Sequence, residues 1–173
     1  MECIAVNDCY RLAPTDHLYA CDSHWWYHHV ADVMRDFEGI CWTQDHQWED
    51  PKKQPEAWGI RKLISLSEPG LSRKQGVVHR GDNSGYQAVN LAYLLGAERI
   101  ILLGFDMMMH GDKRHWFGNH PQAMNQASNY ADFVGHFQTI NPAEYGLEIW
   151  NCSRRTALNC FPKHNLEDAL ASL

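Results

Sequence analysis

The chain has 173 residues, 45% of them hydrophobic and 21% charged, with a formal net charge of -6. Such a composition excludes a disordered chain, and the negative balance argues against a dedicated duplex nucleic-acid binder, whose phosphate partner demands a basic face. No apolar run reaches the roughly 18 residues that a membrane span needs, and the start lacks a signal pattern, so the expectation is one cytoplasmic domain over residues 1–173 with no membrane segment.

Glu2 to Asn7 reads as a strand that begins almost at the first residue, with Asn7-Asp8 at its carboxyl end. Those two side chains either face a ligand or form an Asx turn. His17 to Cys21 is a second strand, and Asp22-Ser23 ends it and caps a helix from His24. In that helix Trp26, Val30, Val33 and Phe37 share a face and form the core stripe, which leaves the other aromatic and histidine side chains near the edge. Gly39 to Thr43 is a third strand. Gln44 to Trp58, broken by Pro51 and Pro55, is irregular with at most a turn of helix. Ile60 to Leu66 is a fourth strand, charged on one side and therefore placed nearer an edge.

The stretch from Val77 to Asp106 organises the rest. Val77-Val78 ends a strand, His79 to Asn83 is a polar turn, and Ser84 stands where an N-cap belongs. Ala88, Val89, Leu91, Ala92 and Leu95 recur at helical spacing as one buried stripe, and Gly96 stops the helix. Arg99 to Gly104 is the continuous apolar run of a strand covered on both faces, so the unit predicts a parallel sheet. Asn83, Ser84 and Gly85 then put backbone N–H groups at a helix's positive end, with Asp106 beside them at the carboxyl edge, where α/β sheets bind ligands.

A long polar loop follows, from Met107 past Pro121 to Ser128, and its length points to function. It supplies Lys113, Arg114, His115 and His120, groups suited to phosphate oxygens and to proton transfer. Asn129 to Phe137 begins another helix that Asn141-Pro142 ends, Leu147 to Asn151 is the last strand, and Leu166 to Leu173 is a terminal helix. Asn7, Asp22, Asp106 and Asn151 are thereby expected on one rim. Two metal chemistries compete there. His110, His115 and His120 with Asp106 would form a transition-metal set, whereas Mg²⁺ held by Asp106 and a ligand phosphate needs fewer protein donors. The six cysteines contain no CxxC pair and read as buried thiols. No GxSxG nucleophile motif occurs.

Val6-Asn-Asp-Cys-Tyr10, Leu18-Tyr-Ala-Cys-Asp22, Asn83-Ser-Gly-Tyr-Gln-Ala88, Leu95-Gly-Ala, Leu103-Gly-Phe-Asp106 and His115-Trp-Phe-Gly together resemble a family of bacteriophage and prophage proteins of uncertain function, over nearly the whole chain. That family is similar to the MptE-like 6-hydroxymethylpterin diphosphokinases and, more remotely, to sialyltransferases of the glycosyltransferase 42 type. The resemblance implies an α/β, Rossmann-like three-layer sandwich with a mainly parallel sheet and a nucleotide or nucleotide-sugar donor. It implies donor binding by Asn7, by Ser84 and Gly85 at the phosphate-proximal turn, and by Gly104 to Asp106; His115, His120 and His136 are candidates for the catalytic histidine. These relatives open with a strand and a GxGPSL-like loop, and this chain is expected to lack both, starting at their second strand. The cut edge beside Ile4 could pair with another chain.

The resulting expectation is a nucleotide-binding phage protein related to transferases that move a glycosyl or diphosphoryl group. Asn7, Asp22, Asn83, Ser84, Gly85, Gly104 and Asp106 hold the donor, Arg114 or Lys113 offsets phosphate charge, and His115 or His120 is the acid or base. The alternative is a non-catalytic protein that acts on a host protein or sequesters a nucleotide.

Overall fold

The computed structural model describes residues 1–46, 48–109 and 129–173. The sequence reads as one domain; the chain forms two compact units, Met1–Leu94 and Leu95–Leu173.

The first unit is an α/β sandwich of Rossmann-like character. Its sheet has five strands, β1 (Ile4–Val6), β2 (His17–Tyr19), β3 (Ile40–Gln44), β4 (Arg61–Leu66) and β5 (Val77–His79), in consecutive order and all parallel. Strand alternation sends neighbouring residues to opposite faces, and β2 is buried at every position because both of its faces are covered. On one face Ala5, Leu18, Ala20 and Cys41 pack with Trp25, Trp26 and Val33 of α1 (Ser23–Asp36). On the other, Tyr19, Trp42, Leu63 and Val78 pack with Ala88 and Leu91 of α2 (Ser84–Leu94). Short 3-10 turns at Asn7–Arg11 and Pro55–Trp58 complete this unit, the second being the single turn expected in the irregular excursion.

Four expectations change. Trp25 is only 3% exposed, so the buried face of α1 is wider than the stripe through Trp26; Trp25 packs edge-on to Trp26 and donates its indole N–H to Asp8 at 3.0 Å. Second, β4 is near an edge as expected, next to the edge strand β5, but its charged look comes from exposed Arg61, Lys62 and Ile64 beside buried Leu63 and Ser65 rather than from one charged side. Third, α2 is buried on every side from Ser84 to Leu91, not along one stripe, while Leu95 lies beyond its end and is exposed. Fourth, the thiols are not uniformly buried, since Cys3 and Cys160 are exposed.

The second unit holds a parallel pair, β6 (Arg99–Leu102) and β7 (Glu148–Asn151), with α3 (Tyr130–Gln138), a 3-10 turn at Pro142–Tyr145 and α4 (Leu166–Ala171). Phe137, fully buried, meets the rings of Phe105 and Phe161 edge-on at 5.9 and 6.3 Å. Pro142 opens the 3-10 turn instead of terminating α3 directly. Among the described residues β5 pairs with β4 and β6 with β7, both in the parallel sense expected of the strand–helix–strand unit. On β5 the outward N–H groups are taken, Val77 by the Lys74 carbonyl at 3.1 Å and His79 by the Asn90 side chain at 2.8 Å.

Burial pushes the Cys21 and Cys41 thiols up from 9.0 to about 11, with the Ser84 hydroxyl partly opposing the shift at Cys21. A thiol whose folded value lies above its unfolded one leaves stability intact below pH 9.0 and drains it as pH rises toward 11. Urea midpoints should therefore fall across that window, and Cys21→Ala combined with Cys41→Ala should flatten the decline.

Candidate functional site

The carboxyl edge of the first unit's sheet is built by side chains that replace backbone partners. Val6 ends β1, and Asn7, with a left-handed φ of 50°, turns the chain into the 3-10 segment. The register that matches Val6 with Tyr19 brings Asn7 alongside the residues just after β2. There the Cys21 N–H donates to the Ser84 hydroxyl at 3.0 Å, and that hydroxyl donates to the Cys21 sulfur at 3.1 Å. One serine thus ties the first turn of α2 to the end of β2.

The tie continues across the sheet. Gln44, at the end of β3, donates to the Cys21 carbonyl at 3.1 Å, and its own carbonyl oxygen accepts from Gln87 of α2 at 3.4 Å. Gln87 also donates to the Arg80 carbonyl at 2.8 Å and accepts from the Tyr19 hydroxyl at 2.5 Å. Arg80 in turn donates its N–H to the Leu66 carbonyl at the end of β4, at 2.8 Å. Both Gln87 and Tyr19 are fully buried, so each bond is made where water cannot substitute. The ends of β2, β3, β4 and β5 are laced to α2 through these side chains.

Ser84 is not the cap of α2. Asn83 is, accepting from the Tyr86 N–H at 2.8 Å through Oδ1, while Ser84 is the first helical residue and spends its hydroxyl on Cys21. Asn83 also donates to the Gly81 carbonyl at 3.1 Å, which closes the turn. Replacing Asn83 by alanine should cost about 1 kcal/mol, as cap removals do, and thermal unfolding of the variant checks it.

Asp22 caps α1, its Oδ1 accepting from the His24 N–H at 2.8 Å, and lies 3.6 Å from the His24 ring. Asp8 accepts from Trp25, and Asp45 accepts from the backbone and hydroxyl of Ser65 at 2.8 and 2.9 Å. Of the expected donor-binding residues, Asn7, Asp22, Asn83, Ser84 and Gly85 therefore belong to the first unit, with Ser84 and Gly85 buried.

Gly104 and Asp106 belong to the second unit, just beyond the carboxyl end of β6. Gly104 takes a left-handed φ of 71°, and the Asp106 carbonyl accepts from the Ala157 N–H at 2.8 Å. Asn151, expected on the rim, has its side chain consumed internally: it donates to the Leu158 carbonyl at 3.0 Å and accepts from the Ser153 N–H at 3.0 Å. It shapes the loop after β7 and is fully buried. His136 sits in the last turn of α3. Lys113, Arg114, His115 and His120, together with His110, lie outside the described residues.

Among the described residues no group of three His, Cys, Asp or Glu side chains could hold a metal ion, and no helix is long and apolar enough to cross a membrane. Two open clefts of about 340 and 510 Å³ share Tyr10, Arg11 and Asp36 and lie by the end of α1 and the loop before β2, away from the carboxyl edge. Their acidic and basic groups neutralise one another, Arg11 pairing with Asp32 at 3.3 Å and Arg35 with Asp32 at 3.0 Å.

Sequence reasoning missed Gln44, Gln87, Asn90 and the Tyr19 hydroxyl. The available signal was a pair of amides, Gln87 and Asn90, inside an otherwise apolar helix. Comparison with known proteins finds no family model, no curated protein and no solved structure that matches this chain.

Proposed function

We propose that this chain is a nucleotide-binding protein of phage origin, acting in the host cytoplasm and related to transferases that move a glycosyl or diphosphoryl group from a nucleotide donor. The observation that carries the reading is the Ser84–Cys21 tie, which fixes the N-terminal turn of an 11-residue helix at the carboxyl end of a parallel strand. Parallel α/β sheets bind ligands at that edge, and a helix start favours phosphate. In this reading Asn7, Asn83, Ser84 and Gly85 receive the donor and Asp22 borders it, all within the first unit, while the resemblance separately names Gly104 and Asp106 of the second. Mg²⁺ travels on the donor's phosphates, in keeping with a cation that rarely uses a full protein cage. Arg114 or Lys113 offsets phosphate charge, and His115 or His120 transfers the proton.

The test is a thermal-shift panel of nucleotides and nucleotide sugars, with and without MgCl₂. A donor present at 100 times its dissociation constant should stabilise the chain by about 2.7 kcal/mol, a rise of several degrees. Failure of every member to stabilise it overturns the reading.

A second reading, a non-catalytic binder, is favoured by the engaged carboxylates: Asp8, Asp22 and Asp45 already accept structural hydrogen bonds. Turnover of any donor by the purified chain excludes it. Among the described residues β1 pairs with β2 alone, which suits a second copy at the Ile4 strand; light scattering that finds only monomer removes that partner.

A further inference from the structure

We infer that Arg80 is the cationic group that contacts the ligand's phosphate oxygens, an assignment that rests on the nucleotide-binding reading and names a residue the resemblance does not supply. Arg80 leaves β5 at its carboxyl end and is half-buried. Its backbone is held on both sides, the N–H by Leu66 and the carbonyl by Gln87, each at 2.8 Å. The side chain is treated differently: Nε is sealed from solvent and has no hydrogen-bond partner, and among the described residues it is the only such atom on a charged group. A guanidinium N–H that loses water without gaining an acceptor destabilises the fold and calls for an explanation, and a ligand oxygen that supplies the acceptor is one.

Asp22 and Asp45, at neighbouring strand ends, stay charged but take their hydrogen bonds from the His24 N–H and from Ser65 rather than from Arg80. Directly after Arg80 the chain passes through Gly81 and Asp82, both with left-handed φ, 49° and 52°, into the Asn83 cap. The arginine therefore stands at the root of the turn that opens α2. Its planar fork matches two phosphate oxygens at once, which a lysine cannot do.

Isothermal titration with inorganic pyrophosphate and with the strongest nucleotide of the panel tests the assignment on wild type, Arg80→Met and Arg80→Lys. Arg80→Met should weaken both ligands by at least about tenfold while raising the unligated melting temperature, because an apolar side chain removes the unpaired N–H. Opposite signs for stability and affinity separate a ligand contact from a structural one. Wild-type binding that persists unchanged in Arg80→Met overturns the assignment and leaves nucleotide binding standing. A lowered melting temperature alongside lost binding also overturns it, since the arginine would then be a fold-building group. Should Arg80→Met fail to fold, Arg80→Lys is decisive: weakened binding supports the assignment and wild-type affinity overturns it. No binding by wild type to either ligand ends both this assignment and the reading beneath it.

Discussion

Asn90→Leu is expected to destabilise the chain by about 3–6 kcal/mol, a large share of the 5–15 kcal/mol that ordinarily holds a domain folded. The side chain is fully buried and makes three bonds: its Oδ1 accepts from the Ser72 N–H at 2.9 Å and the His79 N–H at 2.8 Å, and its Nδ2 donates to the Ser72 carbonyl at 3.0 Å. Leucine has similar bulk, so little volume is lost and the cost falls on polar groups. Two buried donors and one buried acceptor would be left without partners, at about 1–3 kcal/mol each, reduced where neighbours relax. Asn165→Ala is the control, because that asparagine caps α4 at the exposed surface and should cost only about 1 kcal/mol. Urea denaturation of the two variants compares them directly. Equal losses would mean that Asn90 is not standing in for a strand at the outer edge of β5.

The same residue shows where the sequence was readable and where it was not. Strand and helix placement followed from periodicity, and the Asp22 cap, the parallel sense and the α/β class came with it, because each depends on near neighbours in the chain. Asn90 and Gln87 were hidden by the same logic. A helix reading scores apolar spacing and passes over amides in the stripe, yet their partners are 18 residues away at Ser72 and 68 away at Tyr19. Ser84 illustrates a different failure. Small polar residues in succession make Asn83 and Ser84 equivalent as caps by sequence, and the distinction rests on Cys21, whose N–H takes the serine hydroxyl from 63 residues away. The candidate site was legible as a turn chemistry, Asn83-Ser84-Gly85 ahead of a helix, but not as a network. Arg80 was legible only as a residue that breaks a strand, since a buried Nε without an acceptor is a property of the fold.

Gly81→Ala should cost about 2–5 kcal/mol and carry the carboxyl edge with it. The glycine has a φ of 49°, and a Cβ placed on it would lie 2.2 Å from Cγ and Cδ1 of Tyr86. Ordinary contact is well beyond that distance, so either the ring or the turn must move. Tyr86 has little freedom to yield: it is 1% exposed and its hydroxyl donates to the Gly70 carbonyl at 2.5 Å. The left-handed backbone adds about 1–2 kcal/mol for any residue with a Cβ, and the overlap adds about 1–3 more. Gly76→Ala separates the two contributions. Its φ of 77° is also left-handed, but nothing lies within 4 Å of the added carbon, so only the backbone component should be lost. If thermal unfolding finds Gly81→Ala no worse than Gly76→Ala, Tyr86 is not rigid and the turn can shift without penalty. If it is worse by the overlap component, the turn is clamped between Tyr86 and β5, and the Asn83 cap and Arg80 are set in place before any ligand arrives. A clamp of that kind lowers the ordering cost of binding, so Gly81→Ala should weaken pyrophosphate binding wherever it still folds.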